Sequence, residues 1–469
     1  MAKNFAALLE ETSRRFADKT ALAWDGGTLT YAELDRSASG FACLLAERGL
    51  RAGDRVCISL PNHWTFAVAV LAGLKMGARV SPINVLLKSQ EREEILDALK
   101  PHFIIQEVEA RESLWETAAD IDSPALITYT SGSTGKPKGV LVSHEALAFA
   151  TRSWAGPVMR LTPEDVVLAA LPLAHAYGLP GALLAALSAG AKVVIVERFS
   201  PETVLETVKR QRVTVFPGVA TMFLRLLASP AFRASDLSSL RLAVSGAAPC
   251  PWELVGEWRE RTGSRILRGY GMTELFRPVS YLSADPMDLP DAVGRAVPGV
   301  QVKVVNDGGK SLSDGEVGEL WVKTPAAMDG YLDDPEETQA VLSDGWFKTG
   351  DLATVLPGGF IQIAGRKRER ILRGGYSVFS PEVEGALLSH PSVVEAAVIG
   401  TPSVDLGEEV VGFVSLKPGV KTTPGDLINH CKERLAAYKY PRRVIVLEQL
   451  PKGSTGKIDK SRLRNFIPS

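Results

Sequence analysis

Between positions 130 and 139 the chain reads Thr130-Ser131-Gly132-Ser133-Thr134-Gly135-Lys136-Pro137-Lys138-Gly139, a run of small, hydroxylated and cationic residues. Such a loop suits a phosphate group. Glycines let backbone N–H groups turn toward an anion with no Cβ in the way, hydroxyls add neutral donors, and Lys136 and Lys138 supply positive charge. Apolar residues lead in at 125–127 and out at 140–142, so the loop is expected to join two strands. A P-loop would instead run from Gly-Lys-[Ser/Thr] into a helix. Here Pro137 follows Lys136, removing an N–H and disfavouring helical geometry before it. Taken alone, the loop also reads as a polar hairpin with no ligand.

Four further segments carry glycines beside polar or charged residues: Gly269-Tyr270-Gly271-Met272-Thr273-Glu274, Gly345-Trp346-Phe347-Lys348-Thr349-Gly350-Asp351, Gly365-Arg366-Lys367 and Gly453-Ser454-Thr455-Gly456-Lys457. By itself Gly269-Tyr270-Gly271 says little, since it lacks the third glycine of a dinucleotide fingerprint. All five segments together, in this order, resemble the acyl-adenylate-forming superfamily, which comprises acyl-CoA synthetases, peptide-synthetase adenylation domains and luciferases. The resemblance runs from the first helix to the lysine-bearing tail.

That resemblance implies ATP-dependent activation of a carboxylic acid followed by transfer to a thiol. Two anions must meet in the first step, so the main requirement is fixed donors and positive charge. On the family pattern Thr130, Ser131, Gly132, Ser133, Thr134, Gly135, Lys136 and Lys138 hold the β- and γ-phosphates. Tyr270, followed by Gly271, stacks on adenine, with Gly246, Ala247 and Ala248 on the other side. Thr273 contacts the α-phosphate, Glu274 holds Mg2+, and Asp351 with Arg366 takes the ribose hydroxyls. Lys457 bridges the substrate carboxylate and the α-phosphate, while its neighbours Lys452 and Lys460 are expected in solvent.

His175 matches the segment lining the acyl pocket, either as a gate or wall of the carboxylate site or as a satisfied core histidine. Gly246 and Gly269 match further acyl-pocket positions. Arg368 stands at the hinge about which a C-terminal domain turns between half-reactions, where Asp or Lys is usual. Gly374 and Gly375 match glycines that let a pantetheine arm pass. No Asp lies near His175 to pair with an α-ammonium, which disfavours amino acids. Gly269 stands where a bulky or cationic residue shortens the pocket or meets a second carboxylate, favouring a fatty or aromatic acid over malonate. Arg277 would change that preference if it pointed inward; the alternative, which the usual exposure of arginine favours, is a solvated side chain. The acceptor is CoA or the phosphopantetheine of an acyl carrier protein. A third reading, a non-catalytic nucleotide-binding protein on this fold, should have lost Lys457, Glu274 or the loop, and all are present.

The elements that must position these residues follow from pattern. Helical runs at 31–48, 64–75, 204–210 and 221–227 alternate with strands at 56–60, 78–83, 193–196, 213–216 and 242–244, the rhythm of parallel α/β layers. From 294 to 322 the texture changes to short alternating strands broken by Asp307-Gly308-Gly309 and Asp314-Gly315, as in a small antiparallel barrel. A charge-dense stretch at 366–370 precedes a last segment with its own amphipathic pattern. The expected organisation is an α/β protein: a large N-terminal domain over 1–364, with two α/β layered subdomains plus a small β-barrel, a hinge at 365–370, and a small mobile α+β C-terminal domain over 371–469. The stretch between Asn84 and Thr130 is shorter than the usual acyl-CoA synthetase pattern, which leaves a typical dimer surface or CoA phosphate site in question.

With 469 residues, 53 Lys and Arg against 54 Asp and Glu, and a net charge of -1, the chain offers no general electrostatic case for nucleic acid or an anionic membrane. Cys43, Cys57, Cys250 and Cys431 show no metal-ligand spacing and read as reduced thiols. The N-terminus lacks a signal-like apolar stretch, and the most apolar region, 166–196, is broken by Pro172, Pro180, Gly190 and Lys192. A cytoplasmic enzyme without a transmembrane segment is expected.

Overall fold

Alternation of apolar strands with amphipathic helices resolves into two mainly parallel sheets. The computed structural model describes residues 2–109, 111, 113–117, 120–121, 123–131, 137–285, 289–374, 376–403, 405–453 and 458–467. These fall into two compact units: Met1–Val302 with Val322–Phe347 and Gly358–Ile361, and Lys303–Trp321 with Lys348–Pro357 and Gln362–Ser469. The sequence-based division placed 303–321 and 348–357 in the N-terminal part; in space they cluster with 362–469.

In the first unit a six-stranded sheet has the order Gly330–Tyr331, Pro137–Val142, Leu126–Ser131, Arg79–Pro82, Arg55–Ile58, Phe103–Ile105. From Leu126–Ser131 onward its strands run parallel, while the Leu126–Ser131 and Pro137–Val142 pair is antiparallel. A second sheet orders Arg265–Leu267, Leu242–Ser245, Val215–Gly218, Val166–Ala169, Lys192–Ile195, Thr20–Trp24 and Gly27–Thr30, all parallel except the last.

Helices cover these sheets for reasons readable in their residues. Helix Trp64–Lys75 is apolar almost throughout and is buried to match. Its terminal Lys75 is only 3% exposed, and pairs with Asp35 at 2.9 Å and with Glu10. Helix Trp252–Thr262 ends at Gly263, whose φ of 74° only glycine adopts without strain. Beneath it, Phe223 meets Phe216 and Trp258 edge to face at 5.1 and 5.0 Å.

The first unit also contains a hairpin, Gly269–Met272 against Phe276–Ser280, which continues to Arg295–Ala296. In the second unit a five-stranded sheet of Tyr376–Phe379, Arg370–Arg373, Gly407–Leu416, Val393–Ser403 and Arg443–Val446 carries helices Ser380–Leu388 and Pro424–Lys432. Its core is built on Val383, Leu387, Val398, Val414, Leu427 and Cys431. Turns fall where the sequence put them, at Gly309 with φ 78° and Gly315 with φ 88°. Among the described residues no helix is long and apolar enough to cross a membrane.

Candidate active site

The phosphate-like loop closes a strand hairpin, as its flanks require. Thr130 faces Lys138 and Ser131 faces Pro137 across the pair. Gly132, Ser133, Thr134, Gly135 and Lys136 lie outside the described residues, as does the Ser131 side chain. At the loop end of the hairpin the Lys138 ammonium pairs with Glu337 and stands 5.2 Å from the centroid of the Tyr331 ring. The Tyr331 hydroxyl donates to Glu274 Oε1 at 2.9 Å, and the Met328 N–H donates to the Glu274 carbonyl at 2.8 Å. Burial first, and then the Glu274 charge, pushes the phenol pKa up, so Tyr331 remains a protonated donor.

Glu274 and Thr273 occupy the turn of the 269–280 hairpin. Gly271 has to be glycine there, because a Cβ would lie 1.8 Å from the Phe276 carbonyl oxygen. Phe276 itself is left-handed at φ 55°, an unusual conformation for a bulky residue. Tyr270 is partly buried on the first strand. Gly246 is buried at the end of Leu242–Ser245, Ala247 takes a left-handed φ of 63°, and Ala247 and Ala248 are exposed. Strain of this kind often marks a ligand site.

Asn62 pins the segment carrying His175, donating to the Leu171 carbonyl at 2.7 Å and accepting from the Leu173 N–H at 2.8 Å. His175 is exposed, which removes the core-histidine alternative, and its Nδ1 accepts from the Tyr177 N–H at 3.0 Å. Tyr177 is buried, donates to the Val244 carbonyl at 2.8 Å and stacks on Trp154 with centroids 5.1 Å apart. Arg277 is not in solvent, as the sequence suggested, but only 6% exposed, with its guanidinium 4.9 Å from the Trp154 ring. Its Nε donates to Ser280 Oγ, and its two Nη groups donate to the backbone carbonyls of Ser245 and Leu267, which the fold brings near.

In the second unit Asp351 and Arg366, the residues that the resemblance assigns to the ribose, form an ion pair. Asp351 is 4% exposed and receives Arg366 Nε at 3.0 Å, while its N–H donates to Thr349 Oγ1 at 3.1 Å. The next residues are held by ion pairs: Lys367 with Glu319 and Asp307 at 3.1 Å each, and Lys460 with Glu369 at 2.7 Å and Glu384 at 2.8 Å. Lys460 and Lys452, expected to be simply solvated, are therefore both paired, Lys452 with Glu395 at 2.7 Å. Arg368 lies in the short turn Lys367–Glu369, with its side chain outside the description. Gly374 has φ 56° and its N–H donates to the Leu406 carbonyl at 2.8 Å. Gly375 and Lys457 fall outside the described residues.

Among the described residues no three His, Cys, Asp or Glu side chains form a metal cage. A single hard carboxylate oriented by a phenol fits an ion whose remaining ligands are phosphate oxygens and water, the usual habit of Mg2+. Sequence reasoning missed Tyr331 and Glu337. Their only signal was Gly330-Tyr331 leading into the acidic run 333–337.

The description "AMP-binding enzyme" fits residues 9–120 and 108–332, and its C-terminal domain fits 382–457. The chain belongs to the AMP-binding enzyme family. A feruloyl-CoA synthase from Amycolatopsis sp is 34% identical, covering 95% of this chain and 95% of its own. ATP-bound MatB from Rhodopseudomonas palustris superposes with a TM-score of 0.91 at 32% identity, covering 99% of both chains. The o-succinylbenzoate CoA synthetase of Bacillus subtilis, solved with its acyl-adenylate, gives 0.89 at 30% identity over 99% of this chain and 98% of its own. This member is an AMP-forming ligase of the acyl-CoA synthetase type.

Proposed function

We propose that the chain uses ATP and Mg2+ to convert a fatty or aromatic carboxylic acid to its acyl-adenylate, and then transfers the acyl group to the thiol of CoA. In the first step a carboxylate oxygen bonds to the α-phosphorus, the bond from that phosphorus to the bridging oxygen breaks, and pyrophosphate leaves. In the second step the thiol sulfur attacks the acyl carbon, AMP leaves and the thiol proton is released. The network of Lys138, Tyr331 and Glu274 carries this reading, because it ties the loop end of the phosphate-type hairpin to the carboxylate suited to a metal. Bound Mg2+ would offset phosphate charge. Glu274 would hold it, with Tyr331 fixing the carboxylate's orientation.

The remaining residues have matching roles. Loop 130–138 would cradle the β- and γ-phosphates, Thr273 the α-phosphate and Tyr270 the adenine, opposite Gly246, Ala247 and Ala248. The Asp351–Arg366 pair supports ribose binding, since a carboxylate accepts from a vicinal diol. Lys457 would neutralise the meeting of carboxylate and phosphate. His175, Gly246 and Gly269 would line the acyl site, Arg368 would serve as the hinge between 1–364 and 371–469, and Gly374 with Gly375 would flank the pantetheine. A cytoplasmic setting is supported by four free cysteines.

The test is product analysis of the purified chain with ATP, Mg2+ and a panel of carboxylic acids, followed by thioester detection with CoA and with a holo carrier protein. AMP, pyrophosphate and an acyl-CoA are expected. ADP with orthophosphate would overturn the reading. A thioester on the carrier protein alone would reassign the acceptor.

A further inference from the structure

Three neighbouring parallel strands, Val166–Ala169, Lys192–Ile195 and Thr20–Trp24, begin side by side at one edge of the second sheet. The segments assigned to the acid and the adenine, 171–177 and 246–248, follow strand ends at the opposite edge, about 13 Å away for a strand of four residues. At the first edge lies a groove of about 580 Å3, a volume usual for small-molecule sites, lined by Phe16, Lys19, Pro163, Glu164, Val166 and Lys192 among others.

The two lysines of this groove have donors to spare. The Lys19 ammonium stands 5.7 Å from the centroid of the Phe16 ring and makes no hydrogen bond or ion pair among the described residues. Lys192 Nζ donates to Gln211 Oε1 at 3.2 Å and has no ion pair among the described residues. An ammonium carries three N–H donors, so five of the six here meet no acceptor among those residues. The carboxylates nearby do not make up the difference. Asp165 is committed to Arg241, whose Nε and one Nη each donate at 2.8 Å, to Thr214 Oγ1 at 2.6 Å and to the Thr162 N–H at 2.9 Å. Glu164 is exposed and acts on Lys19 through charge alone. Burial lowers the pKa of both lysines, and at Lys19 it outweighs the opposing pull of Glu164 and Asp165. An anion in the groove would complete both ammoniums.

The arrangement of charge says which anion. Lys19 precedes one strand and Lys192 opens another, so the groove presents two separate point charges and no planar fork. A phosphate monoester, with close to two negative charges and three terminal oxygens, can serve both; a carboxylate, with one charge and two oxygens, would leave one ammonium short. Phe16, Pro163 and Val166 add an apolar wall beside the cations.

We propose that this groove is a second small-molecule site, on the sheet edge opposite the ligase site, which takes a phosphate monoester with an apolar or aromatic body. Lys19 and Lys192 bind the phosphate, and Phe16, Pro163 and Val166 hold the body. The site stands whether or not the chain is a ligase.

The experiment is titration calorimetry of the full chain with phenyl phosphate, run in saturating AMP to occupy the nucleotide site, with inorganic phosphate and phenol as separate probes. One phenyl phosphate should bind per chain, at least about tenfold tighter than either fragment. Lys19→Gln and Lys192→Gln should each weaken it by about tenfold or more and leave AMP binding unchanged. No saturable binding of phenyl phosphate would overturn the proposal, and so would binding undiminished in either folded variant. Equal affinity for inorganic phosphate would overturn the ligand class. If a variant does not fold, wild-type labelling with acetic anhydride, mapped by peptide mass, decides: phenyl phosphate should slow the reaction at both lysines, and undiminished labelling would overturn the site.

Discussion

The Tyr331 ring supports a cation over its face and a carboxylate at its hydroxyl, so one residue links two charged groups of opposite sign. Losing the hydroxyl should leave Glu274 free to rotate while keeping the ring under Lys138. Tyr331→Phe is therefore expected to raise the Mg2+ concentration for half-maximal pyrophosphate exchange by about tenfold, the usual scale for losing a group that orients a ligand. A magnesium titration at saturating ATP checks this, and an unchanged midpoint would show that Glu274 needs no such support. Glu274 was singled out only through the family resemblance of Gly269-Tyr270-Gly271-Met272-Thr273-Glu274; standing alone it reads as a solvated loop glutamate. Tyr331 was not, since an aromatic residue after glycine reads equally well as core. Arg277 was misread for a related reason. Arginines are mostly exposed, and the carbonyls of Ser245 and Leu267 that hold this one sit at the ends of strands far apart in sequence.

Strands and helices were more legible than their contacts, because periodicity reports the buried face and not its partner. Helix 64–75 was read to the residue, as Trp64–Lys75, from its apolar run, yet nothing in that run said that Lys75 would pair with Asp35. The helix His144–Ser153 shows a second hidden contact. His144 Nδ1 accepts from the Phe5 N–H at 3.1 Å, tying this helix to the start of Phe5–Arg15, and Nε2 is buried with no partner among the described residues. Burial, which favours the neutral ring, lowers its pKa from 6.5 to about 4. Unfolding returns the ring to its ordinary value, so the unfolded chain binds the extra proton between those limits. The His144 contribution is thus complete above pH 6.5 and is lost as pH falls toward 4, amounting to up to about 3 kcal/mol. Urea midpoints measured across that window should fall with pH in the wild type, and the fall should shrink in His144→Asn, which keeps an acceptor and cannot titrate. Equal slopes in both proteins would remove His144 as the cause.

At the scale of the whole molecule, the texture change at 366–370 was visible in the sequence, whereas the grouping of 303–321 and 348–357 with 362–469 was not. Composition marks where a chain changes character; compact units are set by contacts between segments remote in sequence. The chemistry makes its own demand on the molecule. Adenylation needs a cation between two anions, and thioester formation needs an open path for sulfur to the same acyl carbon. On the role proposed for Lys457, one fixed placement would not serve both steps, and the proposal therefore includes a C-terminal part that changes its presentation between them. Lys457→Ala is accordingly expected to lower acyl-adenylate formation by about a hundredfold or more while sparing thioester formation from supplied acyl-adenylate. Arg368→Pro should do the reverse, because a fixed φ at the proposed hinge would hinder the change without altering the residues assigned to the phosphates. Pyrophosphate exchange and single-turnover thioester formation, measured on both folded variants, separate the two effects. Equal losses in both steps for both variants would mean that neither residue distinguishes the half-reactions, and that a single arrangement of the chain performs them.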